Sequence, residues 1–307
     1  MVTSRPMTAS AIAFPRTFFM LRYADRFKKH YCRHMWNPEM WTPETIASAA
    51  NPLLKEVRRA VSRGSLTAGG WCVAESFHLL EEALRSPCEV KTVLAAESAR
   101  PAVGAFAPRL SGVKVVMLPD ALFAGIAATE TSQGVIALVQ PREWKFEQLL
   151  RGKALVVVLD GIQDPGNAGT IARAAEAFGA TGILYLTGAV SPHNPKTLRA
   201  SAGSLFRVPF VHGMATATAV ATLRQNGVKL LAAMPAASTT PADSLAATDL
   251  TGRCALIVGN EDHGVSEVWR AAAAPVSIPT VGVESLNAAI AAAVLLYEAR
   301  RQRMLPR

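Results

Sequence analysis

The sequence is sparing with the residues that announce a metal centre or a disulfide framework. It has four cysteines, at 32, 72, 88 and 254, and six histidines in 307 residues. No Cys-x-x-Cys spacing and no histidine cluster occurs, so neither a zinc site nor a disulfide scaffold is expected, and a reducing, intracellular compartment fits best. Long apolar runs are also missing. The uncharged stretch Val208–Leu223 is interrupted by Pro209, His212 and Gly213, too short and too broken for a membrane-spanning helix. Phosphate-loop fingerprints are absent as well. Gly161, Gly166 and Gly169 do not give Gly-x-Gly-x-x-Gly, and no Walker Gly-x-x-x-x-Gly-Lys-Ser/Thr is found, so ordinary dinucleotide and NTP sites lose most of their support.

Charge is scarce but one-sided. Only 18% of residues are charged against 50% hydrophobic, yet the net charge is +9. That balance fills a sizeable core and excludes a disordered or collagen-like chain. Residues 1–36 hold seven Arg or Lys against the single acid Asp25, so six of the nine excess charges lie there. We read residues 1–44 as an extension, a disordered tail or a start assigned too far upstream, with an RNA-grasping arm or a targeting peptide as the sharper options. The length suggests two domains.

From about residue 50, helical and extended patterns alternate. Helices are predicted at Asn51–Arg63, Ser76–Arg85, Pro101–Leu110 and Asp120–Ala127. Strands are predicted at Trp71–Ala74, Val90–Ala95, Lys114–Leu118 and Gly134–Gln140, which makes a compact α/β domain over 45–140. The charged stretch 141–153 lacks a strand pattern and reads as a linker with a short helix. Residues 154–307 open with Ala154–Asp160, a continuous β-branched run typical of a buried parallel strand. Further strands are expected at Gly182–Leu186, Val208–Val211, Lys229–Ala233, Cys254–Val258 and Val276–Ile278. Helices are expected around Ile171–Phe178, Ala215–Gln225, Glu267–Ala273 and Asn287–Arg303. Such a covered parallel sheet takes its ligands beyond the carboxyl ends of its strands.

Three strand-end loops are rich in Gly, Asn and Glu. In Asp160–Arg173 (DGIQDPGNAGTIAR), Asn167 is positioned to cap the next helix, and the spacing sets Arg173 on its early turns, beside an anion-friendly N-terminus. Taken alone, this loop is better explained as an ordinary strand–turn–helix with a good N-cap and a surface arginine. Gly259–Gly264 (GNEDHG) brings Glu261, Asp262 and His263 to a strand end, either as a tight turn with solvated charges or, less persuasively, as metal ligands lacking a remote partner. Ile278–Asn287 (IPTVGVESLN) offers Ser285 and Asn287, either of which would cap the long apolar helix that follows.

Taken in order and at these spacings, the loops resemble the three signature motifs of the SpoU-type (TrmH-like) 2′-O-ribose RNA methyltransferases of the SPOUT superfamily. The Asn-x-Gly-x-x-x-Arg pattern is met by Asn167, Gly169 and Arg173. Gly-x-Glu-x-x-Gly is met by Gly259, Glu261 and Gly264. Ile-Pro-x-x-Gly followed by Ser-Leu-Asn is met by Ile278, Pro279, Gly282, Ser285, Leu286 and Asn287. Arg199–Gly203 (RASAG) also resembles a family segment. The amino-terminal unit resembles the family's ribosomal-protein-like substrate-binding domain through Asn51-Pro52, Lys55, Arg58 and Ser132–Val135. Ser76, where glycine is usual, and Ala288-Ala289, where Val-Ser is usual, depart from the pattern.

The resemblance implies a trefoil-knotted parallel-sheet methyltransferase domain over 154–307, a homodimer, and S-adenosylmethionine as cofactor, with no metal and no membrane. It assigns the cofactor to Leu256, Val258, Gly259, Gly264, Ile278, Pro279, Gly282, Leu286 and Asn287. Catalysis falls to Arg173, Asn167, Glu261, Ser285 and Asn287, and RNA contact to Lys55, Arg58, Arg59, Arg63 and Arg199. Asn167 and Glu261 are expected to orient Arg173 or the ribose. The implied reaction is methyl transfer to a ribose 2′-hydroxyl of RNA in the cytoplasm, ribosomal RNA being preferred. Transfer RNA is the alternative substrate, and a non-catalytic RNA-binding ribosome-assembly factor on the same fold is the rival reading.

Overall fold

A computed structural model describes residues 43–235 and 243–305. The proposed tail lies outside them up to residue 42, and Glu44, assigned to that tail from the sequence, is instead paired in a strand with Val116. The chain forms two sheets. The first has the order β1 (Glu44–Thr45), β4 (Lys114–Leu118), β3 (Glu89–Ala96), β5 (Val135–Gln140), β2 (Cys72–Glu75), with β5 antiparallel to both neighbours. Around it lie α1 (Pro52–Arg63), α2 (Phe77–Arg85), α3 (Arg100–Gly104) and α4 (Asp120–Ala124). The single helix expected over Pro101–Leu110 is broken into α3 and a 3₁₀ turn at Ala107–Arg109, as befits a segment carrying Pro101, Gly104 and Pro108.

After a short α5 (Phe146–Leu149), the second sheet takes the order β10 (Asp243–Ser244), β12 (Ala274–Ser277), β9 (Lys229–Met234), β11 (Cys254–Gly259), β6 (Leu155–Asp160), β7 (Gly182–Leu186), β8 (Phe210–Met214). All its pairings are parallel. Every residue of β6 is buried, which is why its sequence is apolar without alternation. Covering helices are α6 (Pro165–Ala177), α7 (Pro195–Ala200), α8 (Thr216–Gln225), α9 (Glu267–Ala272) and α10 (Ala288–Met304). From β6 the chain moves outward to β7 on one side, and from β11 to β12 on the other. The crevice between the carboxyl ends of β6 and β11 is therefore the topological switch point, where open α/β sheets take ligands. Gly259 pairs with Asp160 there, so the first two loops leave the sheet side by side.

The helix α7, missed in the sequence because it is short and begins with proline, couples the two halves. On one side Gly64, just past α1, lies against the Asn194 side chain, which caps α7 through Lys196 N (2.9 Å). On the other, a Cβ on Gly169 of α6 would stand 2.4 Å from Thr197 O and 2.8 Å from Ser201 N, so only glycine permits this helix crossing. Arg207 clamps the seam, donating to Glu82 of α2 (2.6 Å) and to Glu176 of α6 (2.5 Å). Burial, the largest single influence, raises the Glu176 carboxyl, but the hydrogen bonds from Arg207 and Ser204 and the Arg207 charge together hold the group below its usual range. One hydrophobic core runs continuously from the first sheet to the second.

Two seam features carry predictions. Ser76 sits at φ 137°, a backbone region natural to glycine, while its hydroxyl caps α2 by accepting from Leu79 N (3.1 Å). Positive φ at a non-glycine costs about 1–3 kcal/mol, whereas replacing a serine cap by glycine costs only a few tenths. Ser76→Gly is therefore expected to raise the unfolding free energy by about 1 kcal/mol after the extra chain entropy of glycine is subtracted. Urea unfolding of parent and variant checks it, and a loss of stability would mean that the cap outweighs the strain.

His193 is buried, with Nδ1 3.4 Å from Cys72 Sγ of β2 and its ring 5.1 Å from that of His212. Burial first, then His212, holds its imidazole down to about 4. The unfolded chain takes up this proton near its ordinary value, so stability present above about pH 6.5 is lost as pH falls towards 4, by about 3 kcal/mol at most. Thermal unfolding should show that decline, and His193→Gln should flatten it. An equally steep decline in the variant would place the titration elsewhere.

Candidate active site

The first loop is built differently from its sequence reading. Asp164, not Asn167, caps α6, accepting from Asn167 N (2.6 Å), with Pro165 as the first helical residue. Proline fits there because that position has no amide to satisfy within the helix. The Asn167 side chain is thereby released from capping. Its Nδ2 donates to Glu261 Oε1 (2.6 Å) and its Oδ1 accepts from Asn287 Nδ2 (3.1 Å), so one amide joins all three loops. Asn287 has a double duty: its Oδ1 caps α10 through Ala289 N (3.0 Å) and Ile290 N (3.3 Å) while its amino group reaches Asn167. Ala289, where a serine hydroxyl was missed, is buried in the first turn of α10.

The second loop is organised by Asn260, a residue the sequence reading passed over. Its backbone exchanges two bonds with Gly264 (3.0 and 2.9 Å). Its Oδ1 accepts from Asp262 N (2.9 Å) and His263 N (3.2 Å), and its Nδ2 donates to Gly161 O (2.9 Å). These bonds fix a tight turn from which the exposed Glu261 projects towards Asn167. The buried Asp160 accepts from Ser266 N (2.7 Å), tying the start of α9 to the end of β6. Among the described residues no group of three or more His, Cys, Asp or Glu is placed to hold a metal.

A cavity of about 460 Å³ opens beside this junction. Val258, Gly259, Gly264, Ile278 and Leu286 from the cofactor set line it, as do Glu261 and Ser285. Leu256, Pro279, Gly282 and Asn287 do not; Leu256 is buried within β11, and Asn287 is occupied with Asn167 and α10. Met234 and Pro235 at the end of β9, together with Arg270 and Glu284, line the cavity without having been picked out from the sequence. A strand ending in Met-Pro at the carboxyl edge of the sheet is the signal that would have pointed to the first two. Apolar walls interrupted by glycine backbone suit an adenine ring, which needs contact area and main-chain donors and acceptors.

Arg173 is corrected in position. It lies in the third turn of α6, about 12 Å along the axis from Pro165, not beside the helix N-terminus. No hydrogen bond joins it to Asn167 or Glu261, and among the described residues its exposed guanidinium has no ion pair or hydrogen bond. It stands one turn beyond Gly169, on the same stripe of α6. Lys55, Arg58, Arg59 and Arg63 are exposed on α1, with Arg58 Nε donating to Gly125 O (3.0 Å). Arg199 on α7 is half-buried, and its Nη1 is enclosed with no partner among the described residues.

Three strand-end loops locked together beside a cavity with room for a nucleoside suit an enzyme that uses a nucleoside cofactor, and comparison with known proteins makes this particular. The SpoU rRNA methylase family model matches residues 154–297, and the MRM3-like substrate binding domain model matches 51–137. The 23S rRNA (guanosine(2553)-2′-O)-methyltransferase RlmP of Bacillus subtilis is 32% identical over 257 residues, 83% of this chain and 98% of that protein. The 23S rRNA (uridine(2479)-2′-O)-methyltransferase of Streptomyces viridochromogenes is 34% identical over 62% of this chain and 68% of its own. Among solved structures, an AdoMet-bound rRNA methyltransferase from Sinorhizobium meliloti superposes with a TM-score of 0.73 at 28% identity, over 86% of this chain and 99% of that one. The SpoU methyltransferase AviRb from Streptomyces viridochromogenes, in complex with AdoMet, gives 0.69 at 26% identity, over 83% and 99%. This chain belongs to the SpoU rRNA methylase family.

Proposed function

We propose that this protein transfers a methyl group from S-adenosylmethionine to a ribose 2′-hydroxyl of ribosomal RNA. The observation that carries the proposal is the Asn287–Asn167–Glu261 hydrogen-bond chain at the lip of the cavity, which joins three loops that are distant in sequence. The cofactor, when bound, supplies an electrophilic methyl on a positively charged sulfur. Val258, Ile278, Leu286 and Met234 would hold its adenine and ribose. Asn167 and Asn287 fix Glu261 so that its carboxylate meets the target hydroxyl at a constant angle, able to accept the hydroxyl proton as the new bond forms. Arg173, free of internal partners, binds an RNA phosphate and stabilises negative charge developing on the ribose oxygen. A guanidinium does not give up its proton in proteins, so Arg173 acts as an electrostatic group and not as a base.

Residues 45–140 serve as the substrate-binding domain, 141–153 as a linker and 154–307 as the methyltransferase domain, with the trefoil knot of the superfamily in the last. The α1 stripe of Lys55, Arg59 and Arg63, with Arg58 and Arg199, grips RNA backbone, which makes affinity salt-dependent. No helix among the described residues is long and apolar enough to cross a membrane, and we place the protein in the cytoplasm, where its substrate is made. Transfer to an unmodified 23S rRNA transcript in competition with bulk tRNA tests the substrate class. Label entering rRNA supports this reading, and label entering tRNA alone would overturn it.

The working form is a homodimer. An apolar groove of about 320 Å³ lies between Thr170 of α6 and Ile290, Val294 and Tyr297 of α10. Ile290 and Tyr297 are 54% and 56% exposed and leave one apolar stripe of α10 open for a second copy to cover. Ile290→Asp combined with Tyr297→Asp is expected to shift sedimentation from dimer to monomer and to reduce activity with it. A monomeric parent would contradict the assignment.

A further inference from the structure

The cavity holds a cation that no step above uses. Arg270 of α9 lines it together with Asp262 and Glu284, yet forms no ion pair with either. Its position is set by carbonyls instead. Nε donates to Val265 O (2.7 Å) and Nη2 to His263 O (3.2 Å), which lays the guanidinium across Gly264, 3.7 Å from where a Cβ would stand. The helix beneath is anchored by Trp269, which is fully buried, and by the Ser266 bond to Asp160. Holding an arginine on a largely exposed surface sacrifices most of its rotamer freedom. Two main-chain acceptors then occupy one edge of the fork, while Nη1 donates to no described residue. A planar cation fixed in this way presents its free edge to an anion, and a carboxylate matches it best.

We propose that Arg270 binds the carboxylate of the amino-acid part of the cofactor, a role that rests on the assignment of this cavity to S-adenosylmethionine. The apolar wall of Val258, Ile278 and Leu286 takes the adenosine end, and the guanidinium beside Gly264 fixes the other end. That second anchor sets where the sulfonium between them comes to rest relative to Glu261.

The test is a binding cycle by calorimetry, without turnover. The ligands are S-adenosylhomocysteine and its decarboxylated analogue, 5′-(3-aminopropylthio)-5′-deoxyadenosine, which lacks only the carboxylate. The proteins are the parent, Arg270→Met and Arg270→Lys. The parent is expected to bind the carboxylate-bearing ligand about tenfold or more tightly than the analogue, the usual worth of a charge-assisted bond. Arg270→Met should erase most of that ratio while changing affinity for the analogue by less than about twofold, and Arg270→Lys should fall between. A parent that binds both ligands alike overturns the inference even if Arg270→Met fails to fold. Equal weakening of both ligands in Arg270→Met also overturns it, reducing Arg270 to a brace for the 263–265 turn. A parent that binds neither ligand removes the cofactor assignment itself, and the inference falls with it.

Discussion

Arg173→Ala is expected to lower methyl transfer about 10³-fold or more while leaving cofactor affinity and melting temperature close to those of the parent. The size follows from what the side chain stabilises. Removing one preorganised donor from a developing oxyanion costs about 10²–10³-fold, and in the role proposed for it Arg173 would also position the RNA phosphate. The selectivity follows from its place. Arg173 lies on the exposed side of α6, without internal bonds among the described residues, and it does not line the cavity. Single-turnover rates with saturating RNA, set beside cofactor titration, separate the two effects. Arg173→Lys keeps the charge but loses the planar fork, so it should restore only a small fraction of the rate. Near-parent turnover in the lysine variant would show that a point charge suffices. Glu261→Gln tests the proton: if Glu261 is the acceptor, the acid limb of the pH–rate profile disappears.

Gly259→Ala should abolish cofactor binding and destabilise the fold by about 3 kcal/mol or more. The methyl group would stand 2.2 Å from the Gly264 carbonyl carbon, 2.3 Å from Val265 N and 2.4 Å from Gly264 O. All three are backbone atoms of the turn that Asn260 closes, so no side chain can swing aside to make room. Relief requires parting the end of β11 from residues 264–265, which breaks both Asn260–Gly264 bonds and shifts Glu261 away from Asn167. Gly252 makes a useful control, since a Cβ there meets nothing within 4 Å. If Gly259→Ala unfolded and bound cofactor like the Gly252→Ala control, the close packing of this turn would not matter to the site.

Much of this site could be read from order and spacing alone. Asn167, Glu261 and Asn287 stand in separate strand-end loops, and the parallel sheet brings those loops to one crevice because β6 and β11 are neighbours. What escaped was of a different kind. Asn167 was read as a helix cap because Asn, Asp and Ser all cap well. Only tertiary structure decides that Asp164 takes that role, since Asn167 has a better use across the crevice. The same shift of the helix start moved Arg173 from an early turn to the third. The helix α7 left little periodic signal in its six residues, and the clamp between Arg207, Glu82 and Glu176 joins residues too far apart in sequence to be read there. Arg270 carries no local mark of function, and only its carbonyl partners and the cavity beside it give it one.

The most direct test of the account is to transfer a labelled methyl group from S-adenosylmethionine to unmodified 23S rRNA and to digest the product to nucleosides for mass spectrometry. The account predicts one nucleoside methylated on its ribose 2′-oxygen with the parent protein and none with Arg173→Ala. Methylation on a base, or undiminished product from Arg173→Ala, would contradict it.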